Sequence, residues 1–242
     1  MTTFRPVEIV GGGLAGLALG LALRRTGVPV TLLEAGEYPR HRVCGEFIAG
    51  LGQRTIARLG LGPLLEDALR HREVAWFHRG QLARVQRLPA PALGLSRHVL
   101  DARLADAFAA AGGDLRVRTR AVDLASHPGR VFATGRRRGR PAWVGLKVHA
   151  RGLALTRELE VHLGEDAYVG VSRIEDEAMN VCGLFRRRTL AARGSRLLLD
   201  YLRACGLDEF AARLSRVPID EDSFCALAAL SFDRAALPRD RI

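Results

Sequence analysis

The stretch VEIVGGGLAGLALG, residues 7–20, decides the fold of this chain. Its first four residues are apolar or β-branched and predict a short buried strand. The apolar run Leu14–Arg25 after the glycines predicts a helix, and residues 28–33 predict a second strand that ends on Glu34. A strand, a glycine turn, a helix and a strand within about 30 residues form a βαβ unit, whose two strands pair in parallel.

The glycines of this turn follow the pattern G-x-G-x-x-G. Gly11 permits the tight turn, Gly13 lets the backbone approach a pyrophosphate, and Gly16 lets the helix pack closely on the sheet. The helix N-terminus favours an anion. Glu34 is placed to bind a ribose diol, and its charge disfavours a 2′-phosphate and therefore NADP at this site. A purely structural glycine turn is the alternative, but the register of strands, helix and acid favours dinucleotide binding.

The rest of the chain changes character at Trp143. Before it, the patterns predict helices at 48–59, after Pro63 and from the N-cap Ser96, and strands at 74–78, 82–88, 115–119 and 130–134. After it, alternating apolar and polar residues predict antiparallel strands with a hairpin turn at 175–177, followed by helical sequence at 189–215 and a strand at 223–232. The sequence thus predicts an α/β fold with a parallel sheet, joined to an antiparallel sheet packed with helices.

Composition indicates an ordinary globular protein and excludes several classes. The formal charge is +11, but Lys147 is the only lysine, and the arginines are scattered without interleaved aromatic residues, so no nucleic-acid partner is expected. The four cysteines form no C-x-x-C pair, and the histidines show no ligand spacing, so no metal is expected. No segment is long enough to span a membrane and no signal peptide is visible, so a cytoplasmic protein is expected.

Five further segments resemble FAD-dependent oxidoreductases of the geranylgeranyl reductase and aromatic hydroxylase (flavoprotein monooxygenase) superfamily. The segments are PRHRVCGEFI (39–48), LSRHVLDARLADAFAAAGG (95–113), VFATGRRRG (131–139), WVGLKVHARG (143–152) and YVGVSRIEDEAMNVCGLF (168–185). The resemblance covers nearly the whole chain but singles out no one protein. It implies a Rossmann-like FAD-binding domain at 1–140, an inserted antiparallel α+β substrate domain at 141–232, and the start of a return to the FAD domain at 233–242.

The resemblance also implies roles for individual residues. Gly11, Gly13 and Gly16 would hold the FAD pyrophosphate, and Glu34 the adenosine ribose. The other cofactor contacts implied are Arg42, Arg97, the Val122 backbone near the adenine, and Cys44, Gly45 and Glu46 beside the isoalloxazine edge. Plainer interpretations stay open: Cys44 as a small buried residue, Arg97 as a salt-bridge partner, and Glu46 as a partner of Arg40 or Arg42. No catalytic residue is assigned.

The implied reaction is the oxidation or reduction of an apolar small molecule. NAD(P)H would bind transiently and reduce the FAD, which would then serve monooxygenation or the reduction of a carbon–carbon double bond. The superfamily's second FAD motif, G-D-A, occurs nowhere in the sequence. The chain therefore suggests a truncated enzyme, with a non-catalytic nucleotide-binding domain or, with less support, an NAD-dependent dehydrogenase as alternatives. Oligomeric state and a peripheral membrane contact are left open.

Overall fold

The computed structural model describes residues 4–122, 125, 127–135 and 142–230. Over these residues the strands are β1 (Val7–Val10), β2 (Val30–Leu33), β3 (Phe47–Ile48), β4 (Leu69–His78), β5 (Gln81–Gly94), β6 (Asp114–Arg116), β7 (Arg130–Phe132), β8 (Trp143–Arg151), β9 (Leu159–Gly164), β10 (Ala167–Arg173), β11 (Ala178–Arg186) and β12 (Ile219–Leu230). The helices are α1 (Leu14–Arg25), α2 (Gln53–Leu59), α3 (Arg97–Ala110), α4 (Ser195–Ala204) and α5 (Asp208–Leu214), with a 3₁₀ turn at Gly62–Leu65.

The first sheet, sheet A, is parallel and has the strand order β6-β2-β1-β7. The predicted βαβ unit is confirmed: β1, α1 and β2 follow one another, and Val7 pairs with Val30. Sheet A is buried through Ile9 and Leu32, which are fully enclosed beneath α1 and α3. The predicted α/β class is therefore correct.

Glycine spacing sets how closely α1 approaches its neighbours. A Cβ atom on Gly16 would lie 2.0 Å from the Gly11 carbonyl oxygen, which belongs to the backbone and cannot turn aside. One turn later, a Cβ atom on Gly20 would lie 2.9 Å from the Phe108 ring of α3. The helix thus rests directly on the glycine turn and on α3, as the sequence pattern predicted for Gly16.

The second sheet, sheet B, has the order β12-β8-β11-β10-β9-β4-β5-β3 and is antiparallel except for the β4–β9 pair. One face packs on α4 and α5 through a core that includes Leu146, Val148, Val181, Leu198 and Phe210. The alternate residues of the same strands point to the opposite face. This opposite face is polar and lies against the segment that connects β2 to β3.

Several predicted elements need correction. The helix expected at 48–59 begins only at Gln53, because Phe47–Ile48 pairs with the end of β5 as strand β3. The helical stretch expected at 189–215 is divided into α4 and α5, since Gly206 adopts a left-handed φ of 72° between them. The predicted hairpin around Gly80 is confirmed by the β4–β5 pairing. The arginine run at 136–138 and the segment 233–242 lie outside the described residues.

Strands β4 and β5 fall within the range 1–140 that was predicted as the FAD-binding domain. In the structure they pair within sheet B, next to β9. Sheet B therefore takes strands from both sides of residue 140, and the division of the chain at that residue stays a prediction. None of the helices in the described part is long and apolar enough to cross a membrane.

The N-cap of α3 gives a stability prediction. Ser96 is buried, and its Oγ accepts a hydrogen bond of 3.1 Å from the Val99 amide, as the sequence predicted. Ser96→Ala leaves that amide without its partner and is expected to lower the free energy of unfolding by about 1 kcal/mol in urea denaturation. Ser215→Ala, at an exposed hydroxyl, is the control and is expected to change it by less than about 0.5 kcal/mol. An equal effect of the two variants would contradict the capping role.

Candidate functional site

A cleft of about 650 Å³ opens at the carboxyl ends of the strands of sheet A. Ligands of open α/β sheets bind in this position, outside the ends of the strands. The lining consists of the glycine turn, the end of β2, the segment after it, the start of α3, and the residues near the end of β7. Among the lining residues are Gly11, Gly13, Leu14, Glu34, Arg40, Arg42, Arg97, Arg120, Ala121, Thr134 and Gly135.

The glycine turn is shaped for close approach by an anion. Gly11 has a φ of 112°, and a Cβ atom there would lie 2.5 Å from the Ala133 carbonyl oxygen. A Cβ atom on Gly13 would meet no atom of the described chain within 4 Å, so it would project into open space. Gly13 caps α1 without a side-chain hydrogen bond, and the first turn contains no acidic residue. The amide N–H groups of this helix end are therefore available to a phosphate group.

The carboxylate of Glu34 connects the glycine turn to the segment after β2. It accepts hydrogen bonds of 2.8 Å from the Gly12 amide, 2.7 Å from the Gly36 amide and 2.8 Å from Arg40. Burial raises the pKa of Glu34, but these donors and Arg42 outweigh it, so its pKa lies below the ordinary value. A carboxylate accepts about four hydrogen bonds. One acceptor position thus remains for a ribose hydroxyl.

Two arginines of the cleft share one buried acid. Asp101 is fully enclosed, and both its oxygens accept from Arg97, at 2.7 and 2.8 Å. Arg42 donates from Nε to the same carboxylate at 2.9 Å. The Nη2 atom of Arg42 is buried and has no hydrogen-bond partner among the described residues. It lies 3.7 Å from Glu34 Oε2. A buried N–H donor beside a helix N-terminus fits a pyrophosphate, which would accept that hydrogen bond.

The remaining predicted contacts fall in two places. Cys44 and Gly45 lie against the polar face of sheet B, where their carbonyl oxygens accept from Asn180 at 3.0 Å and Ser172 at 2.8 Å. Val122 is fully exposed, and its neighbour Ala121 lines the cleft instead. The structure thus brings Gly11, Gly13, Glu34, Arg42 and Arg97 together at the cleft, with Gly16 directly behind the turn.

Glu46 lies at the centre of a buried ionic cluster, with 2% of its surface exposed. Its Oε1 atom is 3.2 Å from Lys147 Nζ and accepts from the Arg97 amide at 3.0 Å, and its Oε2 atom is 2.6 Å from His149 Nε2. Burial raises the pKa of Glu46, but the hydrogen bond with His149 and the charge of Lys147 together lower it by more. The pKa of Glu46 therefore lies below its ordinary value. Glu46 therefore does not pair with Arg40 or Arg42, which both bind Glu34.

The cluster continues to His41. Lys147 is completely buried on β8, and its Nζ atom lies 3.0 Å from His41 Nδ1. The His41 ring stacks on His98 at 4.4 Å and meets His149 edge-on at 5.0 Å. Sequence reasoning missed Lys147, His149 and His41 as a group. One signal was present, because a lone lysine among 37 basic residues is conspicuous, but its partners come from distant segments.

Three ligand-type groups also meet here, since donor atoms of His41, His149 and Asp220 lie within 4.8 Å of one another. The ammonium group of Lys147 is hydrogen-bonded to one of these histidines. A metal ion at this position would therefore stand beside a buried positive charge, which opposes cation binding.

Comparison with known proteins agrees with this geometry. The NAD(P)-binding Rossmann-like domain model matches residues 9–62. A menaquinone reductase of Mycolicibacterium smegmatis is 28% identical over 128 residues, which are 51% of this chain and 31% of that protein. The chain thus spans about a third of the length of this curated relative.

Solved structures share the fold over nearly the whole chain. The myxobacterial chondrochloren halogenase CndH, an FAD-dependent halogenase, aligns with a TM-score of 0.73 at 17% identity, over 94% of this chain and 64% of CndH. The p-nitrophenol 4-monooxygenase PnpA of Pseudomonas putida aligns with a TM-score of 0.72 at 14% identity, over 94% of this chain and 68% of PnpA. The fold is that of FAD-dependent monooxygenases and halogenases. In sequence, the chain is related to FAD-dependent oxidoreductases through the menaquinone reductase.

The buried ion pair of the cluster gives a pH-dependent prediction. Glu46→Gln leaves Lys147 as a buried charge without its counter-ion, and is expected to cost about 3 kcal/mol or more of unfolding free energy at pH 7. Because the folded-state pKa of Glu46 is lowered, its stabilisation is complete above the unfolded value of 4.5 and is lost as the pH falls below it. The difference between wild type and variant, measured by urea denaturation, should shrink over that range.

The exposed pair Asp67–Arg103 supplies the control for this measurement. Asp67→Asn removes a carboxylate that also pairs with an arginine, but at the surface, and is expected to cost less than about 1 kcal/mol. Equal losses for the two variants would contradict the structural role of the Glu46 cluster.

Proposed function

We propose that this protein is an FAD-dependent oxidoreductase, reduced by NAD(P)H, that acts on an apolar small molecule. The cleft at the end of sheet A carries the proposal, because it combines an open glycine turn, an ionised acid after β2 and a buried unpaired N–H donor on Arg42. When bound, FAD supplies two-electron chemistry that no side chain offers. The residues of the chain bind it, orient it and exclude water.

The proposed binding mode follows from the donors and acceptors of the cleft. Glu34 accepts from the adenosine ribose, while the N-terminus of α1 and Arg42 bind the pyrophosphate. Arg97 lines the same cleft in an orientation fixed by Asp101. Cys44 and Gly45 are proposed beside the isoalloxazine edge, and the Val122 backbone near the adenine, as the family resemblance implies. NAD(P)H is proposed to bind transiently.

The substrate is proposed to meet the polar face of sheet B, so that residues 141–232 act mainly as the substrate domain. The similarity to menaquinone reductase favours reduction of a molecule of the quinone class over hydroxylation. The alternatives are a non-catalytic nucleotide-binding domain and an NAD-dependent dehydrogenase.

Cofactor binding by the 242-residue chain separates these functions. We expect the purified chain to bind added FAD and quench its fluorescence. Excess NADP should not displace the bound FAD, because Glu34 repels a 2′-phosphate. NADPH or NADH should then bleach the flavin absorbance in the absence of oxygen. Tight NAD binding without FAD binding would favour the dehydrogenase, and binding of neither would favour the non-catalytic domain.

Gly13 allows a test of the cleft that leaves the fold intact. Gly13 has a φ of −83° and space around its missing Cβ, so Gly13→Ala is expected to fold normally. The added methyl group would occupy the position of the pyrophosphate and lower FAD affinity at least about tenfold. Gly52→Ala is the matched control, since Gly52 also precedes a helix with a φ of −73° and open space, but lies outside the cleft. Unchanged FAD affinity in Gly13→Ala would contradict the proposed pyrophosphate position.

A further inference from the structure

The polar face of sheet B carries a row of reactive side chains across its strands. Lys147 of β8 stands directly opposite Cys182 of β11 on one side and Cys225 of β12 on the other. Two residues further along β8, on the same face, His149 pairs with Asn180. The other face of the same strands packs in the apolar core, so the polar and reactive side chains of these strands are confined to this face.

Hydrogen bonding defines the protonation states within this row. A lysine ammonium has three donors and no acceptor. Lys147 Nζ is hydrogen-bonded to His41 Nδ1 at 3.0 Å and forms an ion pair with Glu46 Oε1 at 3.2 Å, and no further partner is found among the described residues. With Lys147 as an ammonium group, His41 Nδ1 accepts this hydrogen bond, and His41 is then a neutral imidazole with its proton on Nε2. Burial and the charge of Lys147 lower the pKa of His41 to about 4, in agreement with a neutral imidazole.

His41 extends the cluster toward the cofactor cleft. It is only partly buried, whereas Glu46 and Lys147 are almost completely enclosed. Its neighbours in the chain, Arg40 and Arg42, both line the cleft. The ring against which it stacks, His98, follows the cleft residue Arg97 in α3. Of the group formed by Glu46, Lys147 and His41, the imidazole of His41 is thus the most exposed, and the residues on either side of it line the cleft.

We propose that Lys147 and His41 form a proton relay that delivers one proton to the substrate during its reduction. This inference rests on the proposed oxidoreductase function. In the step, His41 Nε2–H gives its proton to the substrate, while a proton of Lys147 Nζ moves to His41 Nδ1. His41 ends neutral with the opposite tautomer, and Lys147 ends as a neutral amine. The electron pair for the reduction comes from NAD(P)H, so the side chains themselves are neither oxidised nor reduced.

The relay explains why this position holds a lysine. A guanidinium group retains its proton under all conditions in proteins, whereas an amine can release one. Lys147 is the one lysine in a chain whose other basic residues are arginine or histidine. Lys147 regains its proton when His41 Nδ1 returns it and His41 Nε2 takes up a new proton from solvent, which restores the starting tautomer.

Titratable groups from several elements surround the relay, and those beside His41 are His98, His149 and Asp220. From the segment after β2, Lys147 faces Glu46 and His41, and from its own strand His149. The neighbouring strands contribute the thiols of Cys182 and Cys225. Burial raises the pKa of Cys182 to about 12 and raises the pKa of Cys225, so both thiols are neutral at pH 7. Among the described residues, the imidazole of His41 is then the one base that is hydrogen-bonded to Lys147.

Nuclear magnetic resonance of the unliganded chain tests the first link. Because there is one lysine, labelling with ¹⁵N-lysine gives a single Nζ signal. Combined with ¹⁵N-histidine, it should show an ammonium group coupled through a hydrogen bond to Nδ1 of one histidine whose proton is on Nε2. That histidine signal should vanish in His41→Phe. A proton on Nδ1 of His41 would overturn the relay, whether or not the chain binds FAD.

Kinetics of the FAD-loaded chain tests the transfer itself. Lys147→Arg keeps the positive charge but cannot release a proton, and Lys147→Met removes both. Reduction of a soluble short-chain quinone should slow about 100-fold or more in either variant. Bleaching of the flavin by NAD(P)H should stay within about threefold of wild type, because the relay acts only in the reduction of the quinone.

His162→Phe is the matched control for these kinetics. His162 is also a buried histidine bonded to a carboxylate, Glu160 at 2.9 Å, and stacked between the rings of Phe77 and Phe210. It lies outside the relay, so its replacement should leave quinone reduction unchanged. Normal bleaching with wild-type quinone reduction in Lys147→Arg would overturn the relay alone. Absence of FAD binding in the wild type would overturn the proposed function and the relay with it, whereas a proton on His41 Nδ1 in an FAD-binding chain would overturn the relay alone.

Discussion

The buried carboxylate of Glu46 is the interaction on which the arrangement of this molecule depends. It binds Lys147 and His149 on sheet B and the Arg97 amide at the start of α3, and so joins both sheets through the segment after β2. The backbone of Glu46 has a left-handed φ of 54°, a conformation that is unfavourable for residues other than glycine. Without Glu46, Lys147 would be a buried charge with no counter-ion, which is strongly destabilising.

Glu34 and Glu46 together fix the two ends of one connecting segment. At the first end, Glu34 holds the glycine turn through the Gly12 amide and orders Arg40. At the second end, Glu46 fastens the segment to sheet B. Arg42 lies between them, tied to Asp101 of α3. A cleft that binds a long dinucleotide benefits from a segment held in one conformation. A loop that had to become ordered on binding would lower the affinity for the ligand by the entropy it loses.

Local patterns allowed much of this structure to be predicted. The βαβ unit, the Ser96 cap and the hairpin around Gly80 all depend on residues close together in sequence, where periodicity and turn chemistry decide the outcome. Strand β3 was missed because its two residues carry no period of their own and become a strand only by pairing with β5. The partner of Glu46 was missed for a similar reason. Arg42 and Arg40 lie four and six positions from Glu46 in the sequence, whereas Lys147 lies about a hundred residues away.

The sequence by itself determined that Gly11, Gly13, Gly16 and Glu34 would meet at one end of a parallel sheet, because the βαβ unit leaves that arrangement no freedom. It also determined that α1 would approach β1 closely, since only glycine fits there. Tertiary structure alone decided that His41, Glu46, Lys147 and His149 form one buried cluster. The register of β8 against its neighbours and the path of the segment after β2 place these side chains together, and both are set by contacts between residues far apart in the chain.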